Sequence, residues 1–408
     1  MTGELRILDE LRTADGHRLL SLAADLVDSE PLQAVTALRA TGAPADLSSA
    51  ALTQAALRDR ATAKFGADAR DMYFTRHGLE QATRVVVADR RAARLVAAGV
   101  RSVADLGCGI GADARAFARA GINVHAVDAD PLTAAMAAAN TAGLPVTVEC
   151  ADALSVDLSK FDAVFCDPAR RSGAKRVFDP RAYSPPWDFI LGLATRPAVI
   201  KLGPGIDHDL LPRDAEAEWV SVSGDVVEAA LWCERLAGVP RRATVFPATF
   251  PAPGERPHIM TGSGDREAEL GPIKAYLYEP DGAVIRAHLV AELADTLGAT
   301  IADSSIAYLY TDTATPTPFA RAYAVEDVMP FSLKRLRATL RDRGIGRLTV
   351  KKRGSAIEPE QLRKQMKLSG PHELTVVLTK VAGAPMVLLC QPVGRSGTPS
   401  ARGVHVSS

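Results

Sequence analysis

The feature that most constrains this chain is "VADLGCGIGAD" at residues 103–113. An apolar start passes through Asp105 to glycines at 107, 109 and 111, and an alanine-rich amphipathic segment follows. Glycine reaches positive φ without steric cost, so this spacing predicts a strand, a tight turn and the opening of a helix. The free N–H groups of such a helix start suit a nucleotide-like ligand. No G-K-[ST] follows the glycines, which excludes a P-loop.

The residues after the turn repeat the same unit. Apolar runs predict strands at 101–106, 122–127, 145–149, 162–166 and 198–202, with helices at 111–120, 131–140 and 186–194. Strands alternating with helices imply a parallel sheet covered on both faces. "EWVSVSGDVVEAALWC" (218–233) then places two β-branched runs around Ser223-Gly224-Asp225, which reads as a hairpin. The expected fold class is α/β, a seven-stranded Rossmann-like sheet with a helical N-terminal region and a smaller α/β C-terminal domain.

At 408 residues the chain is long for one core. The expected divisions are a helical region at 1–100, the nucleotide-binding domain at 101–237 and a Pro/Gly-rich linker at 238–272. A basic α/β domain at 273–392 and a disordered tail at 393–408 complete the chain. "YFTRHGLEQATRVVVADRRAARLVAAGV" (73–100) reads as a turn leading into one long helix. Lys and Arg number 48, as do Asp and Glu, so no global charge argues for nucleic acid. The five cysteines form no C-x-x-C pair, which fits a reducing cytoplasmic location and neither a disulfide framework nor a metal site. No signal pattern opens the chain, and no apolar run approaches the roughly 20 residues of a membrane span.

The choice of ligand turns on acids at strand ends. Asp128 closes "INVHAVDAD", where a carboxylate accepts from the ribose hydroxyls of an adenosine. Both NAD and S-adenosylmethionine (SAM) would use it. Asp105, two residues before the first glycine, separates them. A carboxylate is unfavourable beside a pyrophosphate and favourable near a cationic amino-acid tail and a sulfonium. Asp152, after the third strand, is placed to accept from an adenine amine, and Asp167-Pro168 ends the fourth. Any one of these acids, taken alone, also fits a helix cap.

Residues 100–233 resemble the class I SAM-dependent methyltransferases, whose sheet ends in a β-hairpin. The resemblance implies that Asp105, Gly107, Gly109 and Gly111 surround the methionine part of SAM, with Asp128 on the ribose and Asp152 on the adenine edge. "FTRHGLEQAT" (74–83), with "LTVKKRG" near the C-terminus, resembles bacterial methyltransferases that carry a THUMP-like C-terminal domain. A comparable Thr-containing stretch lies over SAM in some base methyltransferases, which implies a cofactor contact for Thr75.

The methyl acceptor is read from "DPAR" at 167–170. Enzymes that methylate exocyclic base amines carry a similar [DNS]-P-P-[FYW]. The side-chain acceptor and the next carbonyl bind the amine hydrogens and aim the nitrogen. Here Asp167 and Pro168 fill those places, while Ala169 and Arg170 replace the second proline and the aromatic. Phe178 or Trp187 is a substitute ring, and Arg170, Arg171, Lys175 and Arg176 make the loop basic, as suits a phosphate-bearing substrate. Charge is also locally polarised between Lys334 and Lys367, where Lys334, Arg337 and Arg341 share a helix face and Lys351, Lys352 and Arg353 end a strand. The expectation is methyl transfer to a base of structured RNA (tRNA or rRNA), an exocyclic amine being favoured. The alternatives are a small-molecule methyltransferase and a SAM-binding, non-catalytic RNA-binding protein.

Overall fold

The computed structural model describes residues 3–170, 183–252 and 255–394. Arg171, Lys175, Arg176 and Phe178, and the expected tail from 395 on, lie outside the described residues. The chain divides into two compact units. The first comprises residues 1–217, 228–238 and 248–255, and the second 218–227, 239–247 and 256–408.

The first unit opens with helices α1 (Gly3–Leu11), α2 (Ala14–Asp25), α3 (Pro31–Arg39) and α4 (Ala45–Phe65). Thr13 caps α2 by accepting from the Gly16 N–H at 3.1 Å, and Pro31 starts α3 with φ already helical. Leu8, Leu11, Leu19, Leu20, Leu38 and Ala51 form one buried cluster, which includes Tyr73 and Met136. At about 1.5–3 kcal/mol per buried leucine, that packing is what holds these helices on the domain. The stretch 73–100, expected to be a turn leading into one long helix, holds two helices, α5 (Arg76–Gln81) and α6 (Val85–Ala97). The break at 82–84 lets the Thr83 hydroxyl reach the Asp113 carboxylate at 2.6 Å, a tertiary contact that helical periodicity does not register.

The alternating region follows the sequence closely. It comprises β1 (Ser102–Leu106), α7 (Ala112–Arg119), β2 (Asn123–Asp128), α8 (Pro131–Asn140), β3 (Val146–Cys150) and β4 (Ala163–Cys166). After β4 come β5 (Ala169–Arg170) and β6 (Tyr183–Ser184), which pair antiparallel, then α9 (Trp187–Gly192) and β7 (Ala198–Leu202). The expected hairpin is β8 (Glu216–Val222) and β9 (Asp225–Trp232), turning at Ser223 and Gly224, both at positive φ. β1 through β4 and β7 are parallel, and β9 runs antiparallel to β7. Beneath them Phe117 meets Phe165 edge-on at 5.4 Å, in a core shared with Val103, Val199 and Trp232.

Within the first unit the strand order is β9-β7-β4-β1-β2-β3. The stretch expected to be a linker carries β10 (Arg241–Phe246) and β11 (His258–Gly262), an antiparallel pair that belongs to the second unit. Pro240 and Pro247 flank β10 and Pro257 precedes β11, and the prolines of this segment gave it a loop-like composition.

The second unit carries its own seven-stranded sheet, ordered β13-β14-β12-β15-β18-β17-β16. Its elements are β12 (Tyr276–Pro280), α10 (Gly282–Arg286), α11 (Val290–Leu297), β13 (Thr300–Ile301), β14 (Leu309–Thr311), β15 (Ala320–Pro330) and α12 (Leu333–Asp342). After these come β16 (Ile345–Lys352), α13 (Pro359–Met366), β17 (His372–Val381) and β18 (Ala384–Pro392). Leu336 and Leu340 of α12 and Leu362 and Met366 of α13 bury against Leu348, Leu374, Val376, Val387 and Leu389. Both helices therefore cover one face of the same strands and turn their charged sides outward. Among the described residues no helix is long and apolar enough to cross a membrane.

Candidate active site

The glycine-rich turn follows β1 and opens α7, with Gly107, Gly109 and Gly111 at φ +80°, +56° and +82°. All three need the left-handed region that glycine alone enters freely. The N–H groups of Gly107 and Cys108 both donate to the Val127 carbonyl at 3.0 Å, which ties the turn to β2. A Cβ on Gly107 would stand 2.9 Å from the Asp167 carbonyl oxygen, so only glycine lets the "DPAR" segment approach this closely. A Cβ on Gly109 would meet nothing within 4 Å, so the turn is open there.

Asp128, at the end of β2, is half-buried and accepts two backbone N–H groups, from Gly109 and from Asp130, each at 3.0 Å. Burial raises its carboxyl above the usual range, and those two donors oppose the rise. Asp152 is exposed and caps a 3₁₀ turn, accepting from the Leu154 N–H at 3.0 Å. Thr75 caps α5 through the Gly78 N–H at 2.8 Å. α5 presses on the turn, since a Cβ on Gly78 would fall 2.6 Å from the Ile110 side chain.

Asp105 lies in β1, two residues before the first glycine of the turn. Its side chain is fully buried behind the turn, and neither carboxylate oxygen has a hydrogen-bond partner among the described residues. Burial, then the nearby Asp113, Asp167 and Asp128, push its carboxyl well above the ordinary value, and Arg91 pulls the other way. Desolvating a carboxylate penalises its charged form, which is the direction of that rise.

Asp167 stands at the end of β4, its N–H donating to the Leu106 carbonyl at 3.2 Å. Its carboxylate, about a third exposed, pairs with Lys201 Nζ at 2.6 Å. Burial raises its carboxyl and Lys201 lowers it. Pro168 is buried. The backbones of Ala169 and Arg170 pair with Ser184 and Tyr183, and the Tyr183 ring lies 5.6 Å from Trp187. Of the two rings named from the sequence, Phe178 lies outside the described residues and Trp187 stands next to this loop, beside Tyr183.

Several charged residues here escaped the sequence reading. Lys201 lies in "AVIKL", and a cation inside a buried-strand pattern was the available signal. Arg91, 2% exposed in α6, pairs with both Asp113 and Glu228 and stands over the Phe165 ring. Lys64 of α4 donates to the carbonyls of Leu79, Glu80 and Ala82 at 2.7–2.9 Å. Burial first, then Lys201 and Arg84, bring the Lys64 ammonium down to about 8.

The strand-end cations of the second unit are already partnered. Lys351 pairs with Glu279 at 2.5 Å beside the Tyr323 ring, Lys352 pairs with Glu358 at 2.5 Å, and Arg353 lies over the Tyr308 ring. Lys334, Arg335 and Arg341 of α12 are exposed, and among the described residues no carboxylate lies within 4 Å of them. Arg337, on the same helix, is half-buried.

A parallel sheet closed by a β-hairpin, with a Gly-x-Gly-x-Gly turn and acids at successive strand ends, defines a SAM-binding methyltransferase fold. Comparison with known proteins agrees. The family described as "Methyltransferase domain" matches residues 103–174, "THUMP domain-like" matches 320–392, and a domain of unknown function matches 4–61. An uncharacterized S-adenosylmethionine-dependent methyltransferase of Mycobacterium tuberculosis, present in two strains, is 33% identical over 355 residues. That covers 82% of this chain and 95% of the relative. A solved structure from Porphyromonas gingivalis W83 with a provisional methyltransferase assignment superposes with a TM-score of 0.73 at 22% identity, covering 93% of this chain and 99% of that one. The chain belongs to the SAM-dependent methyltransferases, and its C-terminal region to the THUMP-like domains.

Proposed function

We propose that the enzyme methylates a base of structured RNA, with an exocyclic amine as acceptor. The observation that carries this reading is Asp167-Pro168 at the carboxyl end of β4, against Gly107, with the carboxylate about a third exposed. An aromatic amine has a delocalised lone pair, and a carboxylate accepting one of its hydrogens localises that pair and aims the nitrogen. The ring of Trp187, beside the loop, is the stacking group offered in place of the missing aromatic.

The residues of the turn fit SAM. Gly109 leaves open space at the turn, Asp128 keeps lone pairs for the ribose hydroxyls, and the exposed Asp152 is free to accept from the adenine amine. Thr75, capping α5 over the turn, lines the same side. SAM supplies an already activated methyl group, so the protein's own part is alignment at near-attack distance. Asp105, buried beside the turn with both carboxylate oxygens unpartnered among the described residues, is assigned to the methionine part of SAM.

RNA is favoured over a small molecule by the THUMP-like region and by the exposed cations of α12. Those cations replace Lys351, Lys352 and Arg353 as the main phosphate contacts, since Lys351 and Lys352 are already paired with carboxylates. The test is incubation of bulk RNA from a deletion strain with the protein and methyl-labelled SAM, followed by digestion to nucleosides. Label in an N-methylated base is the expected result. Label in a ribose or a ring carbon overturns the amine assignment. Label only in small metabolites leaves the small-molecule enzyme, and SAM binding with no transfer to either leaves the non-catalytic binder.

A further inference from the structure

Lys201 is the least expected side chain near the acceptor loop. It occupies a strand whose other four residues are buried and apolar, and its own side chain is only 12% exposed. A buried ammonium is tolerated only where its protons have partners. One partner is Asp167 Oδ2 at 2.6 Å, and a second is the Gln81 carbonyl at 3.3 Å. Gln81 is the last residue of α5, a six-residue helix too short to be stable alone. Lys64 binds the carbonyls of Leu79, Glu80 and Ala82, so two ammonium groups together serve four successive carbonyls at this helix end. Cations at a helix C-terminus are favourable, since its last carbonyls carry the negative end of the dipole.

We propose that Lys201 is a positioning residue of the methyl-transfer site: its ammonium joins the Asp167 carboxylate to the C-terminal end of α5, fixing how that carboxylate meets the acceptor. The role of Asp167 toward an acceptor is taken from the function proposed above. The same ammonium opposes the upward push of burial on the Asp167 carboxyl and so favours its charged, hydrogen-bond-accepting form. Around this pair stand Arg91 from α6, Asp113 from α7, Asp105 from β1, Asp128 from β2 and Glu228 from β9, with Lys64 from α4 on the Lys201 side. Asp113, Asp105, Asp128 and Glu228 are acids, and Arg91 is already held by Asp113 and Glu228. Lys201 is thus the principal cation facing Asp167.

The experiment reads Asp167 directly and needs no RNA. Carboxyl carbons of the full-length ¹³C-labelled protein, saturated with S-adenosylhomocysteine, are titrated by NMR, with the Asp167 signal identified by its loss in Asp167→Asn. In Lys201→Met, which keeps the length and apolar stem, the Asp167 midpoint should rise by about 1–3 pH units, the usual effect of losing an adjacent opposite charge. Lys201→Arg should hold the midpoint at its wild-type position. S-adenosylhomocysteine affinity should stay within a few-fold in both variants. If Lys201→Met does not fold, Lys201→Arg alone decides: its Asp167 signal should keep both the wild-type midpoint and the wild-type limiting chemical shift. An Asp167 midpoint unchanged in Lys201→Met, or lost from its wild-type position in Lys201→Arg, overturns the proposal. A shifted midpoint in a protein whose wild type labels no RNA amine would leave Lys201 positioning Asp167 and overturn the acceptor assignment alone.

Discussion

The Asp128 carboxylate accepts the Gly109 N–H at 3.0 Å, so the acid proposed for the ribose also holds the middle of the glycine turn. Its second oxygen takes the Asp130 N–H at 3.0 Å, which fixes the side chain before any ligand arrives. Asp128→Ala removes the ribose acceptor and loosens the turn together. SAM binding should weaken by about 1.5–3 kcal/mol, the scale of hydrogen bonds to a charged group. Isothermal calorimetry with SAM and S-adenosylhomocysteine checks this, with NAD, expected not to bind, as the negative control.

Asp105 makes stability fall as pH rises. Its folded carboxyl titrates well above the unfolded value, near about 3.9, so the folded chain binds the extra proton between those two points. Where the folded state holds more protons, the unfolding free energy declines with pH, by at most about 1.4 kcal/mol per pH unit for one group. The contribution is fully present below about pH 4 and drains away up to the folded midpoint. Asp105→Asn should therefore lose less stability than wild type between pH 5 and pH 8. Urea unfolding of both proteins at those two values gives the comparison, and parallel losses would show that Asp105 ionises freely in the folded protein.

The glycine turn and the strand-end acids were legible because their signals are local. A turn needing positive φ three times within five residues leaves glycine as the natural choice, and the strands on either side are plain apolar runs. β15 was not legible, although it is the longest strand at eleven residues. Glu326 and Asp327 interrupt its apolar pattern, and a register shift between Val325 and Asp327 breaks its alternation. The apolar pattern over 285–297 reads as one helix, whereas the structure has α10 and α11, parted at His288, which adopts φ +59°. Partnership was least legible of all. "LTVKKRG" reads as an open basic strand end, and nothing near it announces that Glu279, 72 residues away, neutralises Lys351.

Arg91 is a buried cation between two buried acids, Asp113 and Glu228, within the first unit. In sequence it belongs to a helix with arginines at 84, 90, 91 and 94 and looks like part of a solvated face. Removing it leaves two carboxylates uncompensated under the glycine turn. Arg91→Met should cost about 3–5 kcal/mol in urea unfolding, since breaking a buried pair strands its partners. A triple replacement, Arg91→Met with Asp113→Asn and Glu228→Gln, should recover part of that loss. Additive losses across the three positions would mean that these groups do not act as one network.

The second unit offers two sets of cations, and salt dependence separates them. Each phosphate contact releases counterions, so affinity for structured RNA should fall steeply from about 50 to 200 mM salt. Replacing Lys334, Arg335 and Arg341 with Ala should flatten that slope by about one unit or less per lost contact. Replacing Lys351 and Lys352 should change the slope little, since Glu279 and Glu358 already hold them. Filter binding across a salt series reads both. The reverse pattern would return the phosphate contacts to the strand end.

Asp167 is expected to act in alignment and not in cofactor binding. It ends β4, and it meets the glycine turn through its backbone carbonyl, leaving its carboxylate turned to Lys201. An interaction needed mainly in the transition state lowers turnover while leaving ground-state affinities nearly unchanged. Asp167→Ala should therefore reduce methyl transfer by about 100-fold or more, the scale set by one well-placed orienting contact. SAM affinity should stay within a few-fold. Asp167→Asn keeps an oxygen acceptor but loses the charge that Lys201 holds, so its activity should fall between Ala and wild type. Single-turnover methylation of the RNA fraction, paired with calorimetry on the same preparations, separates the two effects. A parallel loss of SAM affinity and turnover would move Asp167 from the acceptor to the cofactor.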